Sequence, residues 1–260
     1  MRRLDAVAMN PMEQFSVKPI IPLHVGGYDV SFTNQSLWMC IVVSVISAFL
    51  LYAGSSRRLV PTRAQSMAEL GYEFVENMIQ SAAGHEGLRF FPFVFAIFMF
   101  VLLSNFLGLL PGSFTVTSQI AVTFALAAVV ILTVVLTGFL RHGIGFLKLF
   151  VPKAPFLLLL LLVPIEVISF LTRPISLSVR LFANMLAGHT MLKVFAGFVI
   201  ALGATVITPH FWFAPLSVAP MFLIVAITAL ELLVAFLQAY VFAILTCIYL
   251  SEALYLHDQH

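Results

Sequence analysis

The 260-residue chain is 62% hydrophobic and only 9% charged, with a mean hydropathy of +1.08 and a net charge of +2. Soluble domains carry about 25% charged residues and cannot bury this much apolar surface, so a membrane protein is expected and a nucleic-acid binder is not. The apolar residues run continuously instead of alternating, which points away from a membrane β-barrel and to an all-α, polytopic fold in one membrane domain, residues 1–260.

Residues Met1 to Thr33 are polar, carry Pro11, Pro19 and Pro22, and turn at Gly26-Gly27. They read as an outer extramembrane arm without the apolar core of a cleavable signal. The helical membrane region, 34–260, begins with a span from Leu37 to Ala53, capped by Asn34 or Ser36 and ended at Gly54. Arg57, Arg58 and Arg63 follow. From Ser66 to Ser81, Leu70, Phe74, Val75 and Met78 share one side while Glu69, Glu73, Glu76 and Gln80 lie largely elsewhere. This amphipathic helix is too polar to span; it either lies on the membrane surface or docks on another subunit.

The second span is Phe90 to Leu110, closed by Pro111-Gly112, and the third is Gln119 to Leu140, ending in Arg141-His142-Gly143. Gly143 to Pro155 is a short loop with Lys148 and Lys153. The apolar stretch from Phe156 to about Val199 would be roughly 65 Å long as one helix, about twice the hydrocarbon thickness. Pro164 and Pro174 permit bends, but no turn cluster divides it, so one long, bent and tilted helix is expected. After a Pro-bearing loop, Gly203 to Pro220, the last helix runs from Met221 to about Leu256 and is also too long to stand upright. Five crossings gather Arg57, Arg58, Arg63, Arg89, Arg141, Lys148 and Lys153 on one side. The opposite loops, 111–118 and 203–219, contain no lysine or arginine. This places the amino terminus outside and the carboxyl terminus in the cytoplasm.

The stretch Arg173 to Lys193, RPISLSVRLFANMLAGHTMLK, puts Arg173, Arg180, His189 and Lys193 in apolar surroundings. A charge at bilayer depth costs at least about 2.5–3.5 kcal/mol on insertion scales, and a guanidinium cannot shed its proton. Glu166, Arg173 and Arg180 are spaced by seven and form one stripe. Ser176 and Asn184 flank Arg180, while His189, nine residues on, points the opposite way. On the last helix Glu231 and Gln238 share a face, again seven apart. Glu231 can pair with His189, and Glu166 with Arg173. Arg180 is then left without an acid in its own chain, so its partner is expected on another subunit. Arg173 and Lys193 either line an ion path or snorkel to an interface. His189 is either a relay group or a helix–helix hydrogen-bonding residue. Cys40 and Cys247 lie in spans without ligand spacing, so neither a metal site, a cofactor nor a disulfide is expected.

SLSVRLFANMLAGH, then Glu231 and ELLVAFLQAYVFAILTCIYLSEA, with SNFLGLLPG and SFTNQSLWM earlier, resemble subunit a of the F-type ATP synthase over nearly the whole chain from about Phe15. The resemblance implies a non-catalytic proton-channel subunit in a hetero-oligomeric complex. Its partners would be the ring of c subunits, the peripheral-stalk b subunits and membrane lipid. It also implies a bacterial inner membrane, or alternatively the mitochondrial one. Arg180 matches the family's essential arginine facing the ring, and Gln238 the glutamine packed near it. Asn184 and Ser176 match flanking polar residues, and Glu166 a further acidic position. His189 and Glu231 match a pair in which acid and histidine are exchanged in some members. Arg173 falls on the cytoplasmic half-channel with Ser176 and Glu166. A self-contained ion-coupled transporter is the alternative, but no internal repeat supports it. An intramembrane enzyme would need HExxH or GxSxG, and neither motif is present.

Overall fold

The computed structural model describes residues 16–22, 24–25, 28–29, 31–55, 61–110, 113–151, 156–203 and 216–255. Arg57, Arg58, Pro111-Gly112, Lys153 and most of the 203–220 loop therefore lie outside the described residues.

The described part of the amino-terminal arm is a pair of nested antiparallel ribbons: β1 (Pro19–Ile21) pairs with β4 (Phe32–Thr33), and β2 (His24–Val25) with β3 (Tyr28–Asp29). Helix α1 (Asn34–Ser55) follows directly. Its start differs from expectation. Thr33 caps it, its Oγ1 accepting the Ser36 amide at 3.4 Å, because the β-region residue before the helix is the one whose hydroxyl reaches the third amide. Asn34 instead ties the arm down. Its Oδ1 accepts the Lys18 amide at 3.1 Å and its Nδ2 donates to the Ser16 carbonyl at 3.2 Å.

Helix α2 (Arg63–Gly87) is longer than the predicted 66–81 segment, capped by Thr62 and kinked at Gly84, whose φ of +64° suits only glycine. Its buried residues Val75, Met78, Ile79 and Ala83 pack on α3 and α6 of the same chain, while Met67, Leu70 and Tyr72 stay exposed. The stripe is rotated from the expected one, since Leu70 is exposed while Ile79 and Ala83 are buried. A 3-10 turn, Leu88–Phe90, leads into α3 (Phe91–Gly108), which starts with Pro92 in its first turn. Helix α4 (Ile120–His142) ends at Gly143, φ +56°, and the 3-10 turn after it lays Phe146 on Gly138.

Helix α5 (Phe156–Gly203) is a single helix of 48 residues that runs through Pro164 and Pro174. Helix α6 (Val218–Leu254) has 37 residues. At 1.5 Å per residue these are about 72 and 55 Å long, so both must tilt to lie within a hydrocarbon layer of about 30 Å. Five helical segments, which include α1, α3, α4, α5 and α6, are long and apolar enough to cross a membrane, in agreement with the predicted five crossings.

Helix α6 is the hub, packing on α2, α3, α4 and α5. Ala235, Ala239, Ala243 and Cys247, all essentially inaccessible, recur every four residues and make one smooth face. Small residues allow helices to approach closely where no hydrophobic effect drives them together. Phe170, Leu177, Leu181 and Met185 form the buried face of α5, and the rest of that helix is largely uncovered.

A candidate ion path along the two long helices

Helices α5 and α6 run antiparallel, so a step along one is a step back along the other. Arg173 meets Glu252, Arg180 shares a cavity wall with Leu245, and Gly188 meets Glu231. Arg173 and Arg180 of the seven-residue stripe of α5 thus lie along the edge where α6 runs, whose own stripe continues past Glu231 and Gln238 through Leu245 to Glu252.

Toward the Arg173–Glu252 end a cavity of about 350 Å³ opens between them, with Ser169, Thr172, Arg173, Ser176 and Arg180 on one wall and Tyr249 on the other. At about 30 Å³ per molecule it has room for roughly ten waters, with enough polar groups to hold them. Arg173 sits at its edge, half-buried, in an ion pair with Glu252. Its guanidinium also lies 5.2 Å from the Tyr249 ring centroid and 5.9 Å from that of Phe170. This corrects the expected Glu166–Arg173 pairing. Two helical turns separate those residues by about 10 Å along one axis, whereas α6 brings Glu252 directly across.

Arg180 lies one stripe position further, with its side chain exposed. Ser176 and Asn184 beside it are exposed too, as are Val179, Ala183 and Ala187, so this face of α5 is uncovered. Among the described residues the ion pairs are Arg173–Glu252 and Arg141–Glu86, and neither includes Arg180. Gln238 is buried, 7% exposed, one turn before Val241 of the cavity wall. No hydrogen bond joins it to Arg180 among the described residues. Asn184 is five residues from His189 and so about 140° round the helix from it.

The half around Glu231 is built differently. Glu231 is 7% exposed, and neither carboxylate oxygen has a hydrogen-bond partner among the described residues. Its carboxylate fits against Gly188, where any Cβ would overlap Oε1. His189 is the next residue in sequence, about 100° further round the helix, and the expected pairing of Glu231 with His189 is not formed. Its Nε2 is instead 3.1 Å from Thr115 Oγ1. Below this, Asn105 is fully buried; Nδ2 donates to the Ala235 carbonyl at 3.1 Å and Oδ1 accepts from Thr117 Oγ1 at 2.8 Å. A buried carboxyl without a protein partner needs water or a proton to complete it, which suits a group that exchanges protons.

The site residues expected from sequence thus fall into two groups on one helix pair. Arg173, Ser176 and Arg180 line the cavity, and His189 and Glu231 lie next to Gly188. Glu166 is half-exposed beyond the cavity. Glu252, Tyr249, Asn105 and Thr115 were not anticipated. Glu252 had a legible signal, since it continues the seven-residue stripe from Glu231. Thr115 had none, because its partner is 74 residues away. Among the described residues no cluster of His, Cys, Asp and Glu could hold a metal.

The sequence model described as the ATP synthase A chain matches residues 36–251. The ATP synthase subunit a of Mesorhizobium japonicum is 59% identical over 261 residues, covering 99% of this chain and all of that protein. That of a Chelativorans species is 60% identical over 255 residues, covering 98% and 100%. That of Agrobacterium fabrum is 57% identical over 255 residues, covering 98% and 100%.

Proposed function

The chain belongs to the ATP synthase A chain family, and from that premise we propose that it is the stator proton channel of a bacterial inner-membrane F-type ATP synthase. It does no bond-making chemistry. It offers two offset half-channels to a rotating ring of c subunits, and it is held in the complex with peripheral-stalk b subunits.

The observation that carries this reading is Arg180: a permanent cation, on an uncovered face of a long apolar helix, outside the ion pairs among the described residues. A charge at bilayer depth without an anion is too costly to keep unless a partner supplies one. A ring carboxylate arriving beside Arg180 provides it. Protons enter from outside through His189 and Glu231 and pass to that carboxylate, which then turns away into lipid as a neutral acid. After nearly a full turn the carboxylate meets the inner cavity. Arg180 favours its ionised form there, and the proton leaves past Ser176, Arg173 and Glu166 to the cytoplasm. The guanidinium between the half-channels repels a hydrated proton and blocks the direct leak. Flow must therefore turn the ring, driven by about 2.3 kcal/mol per charge per 100 mV.

Gln238 and Asn184 complete the polar band at the ring interface. Glu231, seated at Gly188 without a hydrogen-bond partner among the described residues, and His189, the next residue along α5, support a relay, because an imidazole and a carboxyl can each hold a proton in turn. The test is Arg180→Ala in the reconstituted complex. Proton-driven ATP synthesis is expected to vanish while ATP hydrolysis by the soluble sector continues. Synthesis at the wild-type rate refutes the assignment.

A further inference from the structure

We propose that the loop Ser113–Ser118 is a wall of the outer half-channel and that Thr115 is a positioning residue for His189. This rests on reading His189 as a relay group. By sequence the 111–118 segment is only a charge-free outer connection. In the structure residues 113–118 are folded inward, with Thr115, Thr117 and Ser118 at 3%, 0% and 2% exposure.

A buried loop must satisfy its polar groups internally. Two of these hydroxyls do so with single, fixed partners: Ser118 Oγ donates to the Thr115 carbonyl at 2.6 Å, and Thr117 Oγ1 donates to Asn105 Oδ1. Thr115 is different. Its Oγ1 lies 3.1 Å from His189 Nε2 and 3.4 Å from the Gly108 carbonyl. A hydroxyl has one proton and two lone pairs. When Nε2 carries hydrogen, Thr115 accepts from it and turns its own proton to Gly108. When Nε2 is bare, the hydroxyl turns and donates to it. The imidazole thus keeps one position through both proton states, and only a rotatable hydroxyl can do this.

Gly108 makes the approach possible. A Cβ there would lie 2.8 Å from Thr115 Cγ2 and 3.2 Å from Oγ1. Lys193 is one turn further along α5, and Glu231 arrives from α6 at Gly188. The loop and the end of α3 bring no ionisable group, and those of α4, Arg141 and His142, are at its opposite end.

The experiment uses the whole complex in vesicles, stripped of the soluble sector, with passive proton conduction measured against outer pH. Thr115→Val removes the hydroxyl at nearly constant shape. It is expected to slow conduction about fivefold, the size of one neutral hydrogen bond, and to move the outer pH midpoint. Thr115→Ser restores both. Gly108→Ala keeps every polar group but displaces Thr115, and is expected to move the midpoint in the same direction. An unmoved midpoint in both Thr115→Val and Gly108→Ala overturns the proposal, as does a Thr115→Ser as defective as the valine. If Thr115→Val fails to assemble, Gly108→Ala decides alone. His189→Ala separates the two levels of the argument. If it leaves the pH profile unchanged, the relay reading itself fails; if it changes the profile and Thr115→Val does not, only the role of Thr115 is lost.

Discussion

Glycine 188 is the most exacting position in the outer cluster, and Gly188→Ala is the perturbation that tests it. A Cβ there would overlap Glu231 Oε1 outright, and would lie 2.9 Å from its Cδ and 3.1 Å from its Cγ. Three atoms of one side chain are thus inside ordinary contact, so a small adjustment of the tip cannot relieve it. Glu231 must leave its rotamer or the two helices must part. Overpacking of this kind costs about 1–3 kcal/mol, and each 1.4 kcal/mol is a tenfold loss in the competent arrangement. Proton conduction measured in vesicles at fixed membrane potential is therefore expected to fall about tenfold. Shortening the acid should compensate. Glu231→Asp withdraws the carboxylate by one C–C bond, about 1.5 Å, which removes the outright overlap with the new methyl and leaves only a tight contact. The double variant is expected to conduct better than Gly188→Ala alone. If Gly188→Ala conducts normally, or if Glu231→Asp gives it no relief, the packing of Glu231 against Gly188 does not govern the outer path.

Glu252→Gln breaks the Arg173 ion pair at the inner cavity while leaving the Tyr249 and Phe170 rings in place. With both partners about three-quarters buried, a loss of about 1–2 kcal/mol in α5–α6 association is expected, between the surface and buried limits. Heat-induced release of the subunit from the complex measures it, and exchanging the two charges (Arg173→Glu with Glu252→Arg) should recover part of the loss. Asn105→Leu leaves Thr117 Oγ1 without its acceptor and removes the bond to Ala235, at a cost of about 1–3 kcal/mol. The same release assay reads it, and a wild-type release temperature contradicts the importance of that network. Glu231→Gln keeps the shape but cannot ionise; it should flatten the outer-pH dependence of conduction, and an unchanged profile removes Glu231 from the path.

Helix number, helix length and the polar stripes were legible in the sequence because each depends on one chain segment and its solvent. Apolar runs report spans, Pro without turn residues reports a bent helix, and seven-residue spacing reports a face. The charged residues in apolar surroundings marked the functional helices for the same reason, since their cost in lipid is a property of the residue and its neighbours in sequence. Partner choice was not legible. Glu166 was the nearest acid to Arg173 along the chain, yet Glu252 is nearer in space. Leu70 was on the expected apolar stripe of α2, yet Ile79 and Ala83 are what α3 and α6 cover.

What the residues determined alone is therefore that five apolar helices cross a membrane and that a guanidinium must be housed among them. Only the tertiary structure decided that α6 runs back along α5 in a register that gives Arg173 an acid and leaves Arg180 outside the chain's described ion pairs. It alone buried the hydroxyls of Thr115, Thr117 and Ser118 and set Thr115 against His189. The physical reason is one of range. Hydropathy and periodicity act within a few turns of one helix, whereas ion pairing, hydroxyl contacts and the fit of a carboxylate against a glycine depend on how far one helix slides past another.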